Sequence, residues 1–161
     1  MINPYNQFPI FKDLDAPQLF LIKEIFFPID CNEGEVIFEQ DSKAEFLYIV
    51  VEGEVEIIFK PDDGEPIPVA KIQRGGVFGW SAAFGSGTYT SGAVCIDCAT
   101  LLKVKGEDLK TLRQTHPETG ILILERLAED ITERLERSST HGQVVALLEN
   151  ALHNGIKPIG G

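Results

Sequence analysis

Ten of the chain's 15 glycines fall between Gly34 and Gly106, in clusters about ten to twenty residues apart, and the segments between them are rich in Val, Ile, Phe and Tyr. Turn residues spaced this closely leave little room for helices, and the side chains between them suit pleated, half-buried backbone. Short strands joined by tight turns are therefore expected. The strand candidates are Glu35 to Glu39, Phe46 to Val51, Glu54 to Phe59, Ile67 to Ile72, Ala93 to Asp97 and Leu101 to Val104. Val55, Ile57 and Phe59 share one face of a pleat and Glu54, Glu56 and Ile58 the other, as in a strand with one buried side. Asp62-Asp63-Gly64 reads as a hairpin turn.

Helical periodicity brackets this β region. Asp15 can cap a helix over about Ala16 to Phe26, with Leu19, Ile22, Lys23 and Phe26 at helical spacing and Pro28 ending it. After Gly106, a short helix near Glu107 to Gln114 leads to Pro117, which is favoured in a first helical turn, and to the longest helix, about Glu118 to Ser138. Along that helix Ile121, Leu124, Ala128, Ile131 and Leu135 recur at steps of 3, 4, 3 and 4. This is the seam of a short coiled coil and the expected interface of a homodimer. The same stripe could instead pack on the strands, but Leu122 and Leu127 lie off it and can serve that purpose. A small final helix is expected after Gly142, on Val144, Val145, Leu147, Leu148 and Leu152, with a frayed tail from Gly155 to Gly161.

With 25 acidic against 14 basic side chains, the chain carries a net charge of -11. Nucleic-acid binding rests on phosphate neutralisation by Lys and Arg, and membrane surfaces are anionic too, so neither is an expected partner. Met1 to Phe11 lacks a basic start and a long apolar run, and no stretch of about 18 apolar residues occurs, so a cytoplasmic location is expected. At 161 residues there is room for one domain. Three cysteines, an odd number, are expected to be reduced. Cys95-Ile96-Asp97-Cys98 has the spacing of a redox or metal pair. On a strand, however, residues three apart point to opposite faces, so both are expected to be ordinary buried strand cysteines. His116, His141 and His153 are scattered, and no metal site is expected. No nucleophile elbow, Walker-type loop or paired-carboxylate motif stands in a suitable context, so no catalytic residue and no cofactor are expected.

Gly75-Gly76-Val77-Phe78-Gly79-Trp80-Ser81-Ala82-Ala83-Phe84 passes from a glycine-rich loop to small residues compatible with a short helix. Glycines allow close backbone approach, and a helix starting after Gly79 would present N–H groups to an anion; a tight turn beside a sheet fits as well. The order of elements over roughly Phe8 to Arg137 resembles the cyclic nucleotide-binding domain family. The matching pieces are Phe11-Lys12-Asp13-Leu14, Gly34-Glu35-Val36-Ile37-Phe38, Leu47-Tyr48-Ile49-Val50-Val51-Glu52-Gly53-Glu54-Val55, Gly76-Val77-Phe78-Gly79 and Leu127-Ala128-Glu129. The resemblance implies a mainly β fold: a β jelly roll, or double-stranded β-helix, with flanking helices and C-terminal α-helices. That domain would span residues 1–139, with 140–161 as a short helix and tail. It also implies ligand sensing without catalysis, signalled through the C-terminal helices to a protein partner.

In the resembled family the phosphate-binding cassette runs Phe-Gly-Glu, a short helix, then an Arg before Ala and a strand. Here Phe78-Gly79-Trp80 puts an indole, which donates and cannot accept, where the family's Glu accepts the ribose hydroxyl. Aligning Thr90-Ser91-Gly92-Ala93-Val94 on the Arg segment puts Thr90 where a guanidinium pairs with the cyclic phosphate. Charge-assisted bonds are worth about 1.5–3 kcal/mol each, so the two departures imply cyclic nucleotide affinity lowered about a hundredfold or more. The candidate ligand-binding residues are Phe78, Gly79, Trp80, Ser81, Ala82, Tyr89, Thr90 and Ser91, with hydroxyls of Ser86 and Thr88 nearby. Such a lining favours a neutral or weakly anionic ligand. Three outcomes stay open: Trp80 fills the nucleotide cavity of a ligand-free adaptor, a different small molecule binds, or a cyclic nucleotide is retained.

Overall fold

The computed structural model describes residues 8–84 and 87–137. Asp15 starts α1 (Ala16–Ile25) with a reciprocal cap: the Gln18 N–H donates to Asp15 Oδ1 at 2.8 Å and the Asp15 N–H donates to Gln18 Oε1 at 3.1 Å. The helix stops at Ile25 because Phe26 opens a strand that was not expected, β1 (Phe26–Cys31). Pro28 lies inside this strand, opposite Leu102, and is tolerated because β1 forms a sheet edge, where a missing N–H need not break a ladder.

Seven strands follow: β2 (Val36–Phe38), β3 (Phe46–Glu52), β4 (Val55–Phe59), β5 (Ile67–Ile72), β6 (Val77–Phe78), β7 (Gly92–Cys95) and β8 (Ala99–Lys105). A one-turn helix, α2 (Ser81–Phe84), sits between β6 and β7. Pairing is antiparallel in two four-stranded sheets, ordered β1-β8-β3-β6 and β2-β7-β4-β5, which is the mainly β jelly roll with C-terminal helices read from the sequence. The two residues of β6 are too few to show alternation, so the sequence reads them as loop. β7 ends at Cys95, and the Ile96 N–H leaves the ladder for the Glu54 carbonyl at 3.0 Å. Cys98 therefore lies in the turn before β8 and is exposed, which corrects the expectation of two buried cysteines on one strand.

The first sheet is covered on both faces. On β3, Leu47, Ile49 and Val51 join the core beneath the helices while Tyr48 and Val50 face the roll's interior; β8 divides likewise into Leu102 and Val104 against Leu101. Burial on both sides accounts for the unbroken apolar run of β3. The second sheet buries one face, through Val55 and Ile57 on β4, and a bulge after Ile57 ends the alternation there, leaving Phe59 half-buried.

Two helices close the described chain, α3 (Gly106–Thr115) and α4 (Pro117–Arg137), with Pro117 in the first turn as expected. The face of α4 set against the roll carries Ile123, Leu127 and Ile131, all buried. Steps of four keep to one side of a straight helix, so Ile131 is drawn into the molecule's own core and leaves the expected dimer stripe. Ile121, 46% exposed, and Ala128 stay outward, and Leu124 packs partly on the same core. Arg126 Nη1 donates to the carbonyls of Ile10 at 3.0 Å and Lys12 at 2.6 Å, pinning α4 to a 3-10 turn at Pro9–Phe11. The Leu135 side chain, Ser86, the expected helix after Gly142, the tail and the boundary at residue 139 lie outside the described residues. Among the described residues no helix is long and apolar enough to cross a membrane.

Candidate ligand-binding cassette

β6 pairs with Tyr48 and Ile49 of β3 and sets Val77 toward the helices and Phe78 into the roll. Gly79 follows at φ +74°, and a Cβ there would stand 3.0 Å from the Phe46 carbonyl oxygen, 3.2 Å from Tyr48 and 3.3 Å from Phe38. Both the left-handed backbone and the crowding require glycine. In the turn that becomes α2, the Ala83 and Phe84 N–H groups donate to the Trp80 carbonyl at 2.9 and 2.8 Å, and the Ala82 N–H donates to Gly79 at 3.3 Å. The Ala82 amide, expected to be open to an anion, is thus used within the turn.

Past the left-handed Gly79, Trp80 emerges on the opposite side of the sheet from Phe78. It belongs to the helix-side core, with Phe8, Ile22, Phe26, Leu109 and Leu112. This corrects the expectation that Trp80 could plug the roll. Four other rings occupy the roll beside the cassette: Phe38 and Tyr89 stack at 3.6 Å between centroids and 8° between planes, and Tyr48 and Phe78 at 5.1 Å and 13°. The Tyr89 hydroxyl donates to the Phe46 carbonyl at 2.6 Å and accepts from the Phe46 N–H at 3.2 Å. Burial pushes this phenol up to about 12, against the lowering effect of its Phe46 bond, so it stays protonated at neutral pH. The Tyr48 phenol is also pushed up by burial.

Most of the cassette's described polar side chains are buried, and none is charged. Thr90 and Ser91 are both buried. Trp80, 8% exposed, and Ser81, 1% exposed, keep Nε1 and Oγ without a hydrogen-bond partner among the described residues. An unsatisfied buried group costs about 1–3 kcal/mol, so each gains by taking a hydrogen-bonding partner. No residue between Arg74 and Asp97 carries a charge.

The cassette is also fastened to the helices. Ala82 packs against both the helix-side core and the roll's interior. A Cβ on Gly106, the first residue of α3, would overlap the Ala82 carbonyl oxygen. Of the expected site residues, Phe78 and Tyr89 share the roll's interior, Ala82 spans the two cores, and Trp80 lies on the other side of the sheet. Sequence reasoning missed Phe38, Tyr48 and Gly106. The aromatic character of Phe38 and Tyr48 on the strands nearest the cassette was the available signal for the rings, whereas nothing local marked Gly106 as a crossing point. Among the described residues, no three His, Cys, Asp or Glu side chains are grouped to hold a metal ion.

Known proteins share this arrangement. A protein of Geobacter metallireducens described as cyclic nucleotide-binding superposes with a TM-score of 0.72 at 26% identity, over 84% of this chain and 99% of its own. The regulatory subunit of a cAMP-independent protein kinase A from Trypanosoma cruzi, bound to guanosine, has the same fold with a TM-score of 0.69 at 20% identity, over 97% of this chain and 50% of its own. A potassium channel protein of Rhodopseudomonas palustris is 29% identical over 148 residues, 89% of this chain, which spans 35% of the channel protein's length. The family model for the cyclic nucleotide-binding domain matches residues 28–116, more than half of the sequence. With that match, and with the roll, cassette and helices in place, the chain belongs to the cyclic nucleotide-binding domain family.

Proposed function

We propose that this chain is a non-enzymatic regulatory module that takes an uncharged or weakly anionic ligand at its cassette in place of a cyclic nucleotide, and passes the change through α3 and α4 to a partner protein. The observation that carries this reading is the uncharged stretch from Gly75 to Ile96, which contains every candidate ligand residue. A cyclic phosphate brought there meets no cation from that stretch itself, whereas a neutral ligand can use the unpartnered Ser81 hydroxyl. Guanosine, bound by the Trypanosoma cruzi relative, is the natural probe. Net charge of -11 favours a protein over nucleic acid as partner, and three free thiols suit a reducing, cytoplasmic setting.

A ligand biases the helices only through different affinities for their two positions. Amide hydrogen exchange with millimolar guanosine is therefore expected to slow in α2, α3 and α4 and to stay unchanged in the β4–β5 hairpin. Unchanged α3 and α4 would instead favour a ligand-free adaptor, the reading supported by the closed Phe38–Tyr89 stack.

The outward Ile121 and Ala128, with half-buried Leu124 between them, support a homodimer through α4 without Ile131. Sedimentation is expected at about twice the chain mass of 17.8 kDa. Ile121→Glu with Ala128→Glu should give folded monomers, since an unpaired charge in the seam costs several kcal/mol. A monomeric parent chain at tens of micromolar overturns the dimer. Ile131→Glu is no test, because that side chain is in the core.

A further inference from the structure

Cys31 closes β1, the edge strand of one sheet, and Cys95 closes β7, an inner strand of the other. Both are buried, at 4% and 1% exposure. The chain after Cys31 folds back onto Cys95: the Gly34 N–H donates to the Cys95 carbonyl at 2.8 Å, and the Cys95 N–H donates to the Glu35 carbonyl at 3.0 Å. The two side chains share the roll's buried cluster, are close enough for each to shift the other's ionisation, and are both free thiols. We propose that Cys31 and Cys95 form a disulfide that staples the two sheets of the roll when a small aliphatic disulfide of the glutathione class supplies the oxidising equivalents.

The exchange has a direction. Cys31 is the more exposed thiol, and burial raises it against a lowering effect of the neighbouring Cys95, whereas burial pushes Cys95 up to about 12. Burial, with the Glu35 and Asp30 carboxylates, raises Cys31 as well, so the pair reacts slowly and persists reduced in a reducing compartment. Deprotonated Cys31 attacks one sulfur of the small disulfide, forming a mixed disulfide and releasing one small thiolate. Cys95 then loses its proton to solvent and attacks the Cys31 sulfur, forming the internal bond and releasing the second small thiolate. The protein gives up two electrons and two protons, and the oxidant leaves as two thiols. Cys98, exposed in the turn after β7, is open to the same oxidant and has to be removed from the test.

The test is overnight incubation of folded Cys98→Ser protein with glutathione disulfide. Thiols counted after denaturation are expected to fall from two to none, with a mass loss of two hydrogens and no bound glutathione. The melting temperature should rise by on the order of 10 °C and return with dithiothreitol, because the bond closes a loop of roughly 60 residues in the unfolded chain. Adding Cys31→Ser should abolish the rise. Two remaining thiols, glutathione retained on either cysteine, or a bond between chains overturns the proposal.

Discussion

Gly106→Val is expected to lower the melting temperature by roughly 6–12 °C, corresponding to a loss of about 3 kcal/mol or more at the 2–4 °C per kcal/mol typical of this size. A Cβ at this position would overlap the Ala82 carbonyl oxygen and lie 2.7 Å from the carbonyl carbon. Those atoms are backbone, so no side-chain rotation relieves the clash. Gly106 cannot retreat freely either, since its N–H is held by the Glu45 carbonyl at 2.9 Å. Either α2 or the start of α3 has to move, and with it the helix-side core containing Trp80, Leu109 and Leu112. Scanning calorimetry of the variant decides this, and a shift under about 2 °C would mean that α2 swings free of α3. In that case the cassette would have no rigid route to the helices.

Thr90→Arg is expected to raise affinity for cyclic AMP by tenfold or more, the worth of one charge-assisted bond of about 1.5–3 kcal/mol. The substitution puts a cation at the position that the sequence reading aligns with the family's Arg, within a stretch that otherwise carries no charge. The companion change Trp80→Glu, attractive from the sequence, is ill-suited to the folded protein. Trp80 packs among Phe8, Ile22 and Leu109, and a carboxylate there would be buried without a partner at a cost of several kcal/mol. Titration calorimetry of the single variant is the measurement. An affinity no better than that of the parent chain would mean that the ring stack of Phe38, Tyr48, Phe78 and Tyr89 keeps the roll shut.

The strands that alternate were legible from the sequence because burial on one face imposes a period of two: β4 with Val55 and Ile57 inward is the clearest case. The capped start of α1 and Pro117 at the head of α4 were legible because their chemistry is local. What escaped depends on partners far along the chain. Pro28 reads as a helix end, and only its place on an edge strand beside β8 makes it a strand residue. A plug for the nucleotide cavity is one of the readings the sequence leaves open for Trp80, and the left-handed turn at Gly79 sends it to the helix side instead. The stripe on α4 includes Ile131, which is buried in the core, because apolar spacing alone cannot say whether a residue meets the roll or a second chain. The cassette's composition was readable directly, while the stacked rings beside it became visible only once β2, β3 and the segment at Tyr89 were brought together.

Titration calorimetry of the unmodified chain with cyclic AMP, cyclic GMP and guanosine, at about 0.15 M salt, tests the exchange of ionic anchors for an uncharged cassette most directly. At that salt the repulsion from a net charge of -11 is largely screened beyond about 8 Å, so the missing cation governs the outcome. Guanosine is expected to give a saturable heat of binding, and both cyclic nucleotides none below about millimolar concentration. Micromolar or tighter binding of either cyclic nucleotide, with guanosine silent, would contradict the reading.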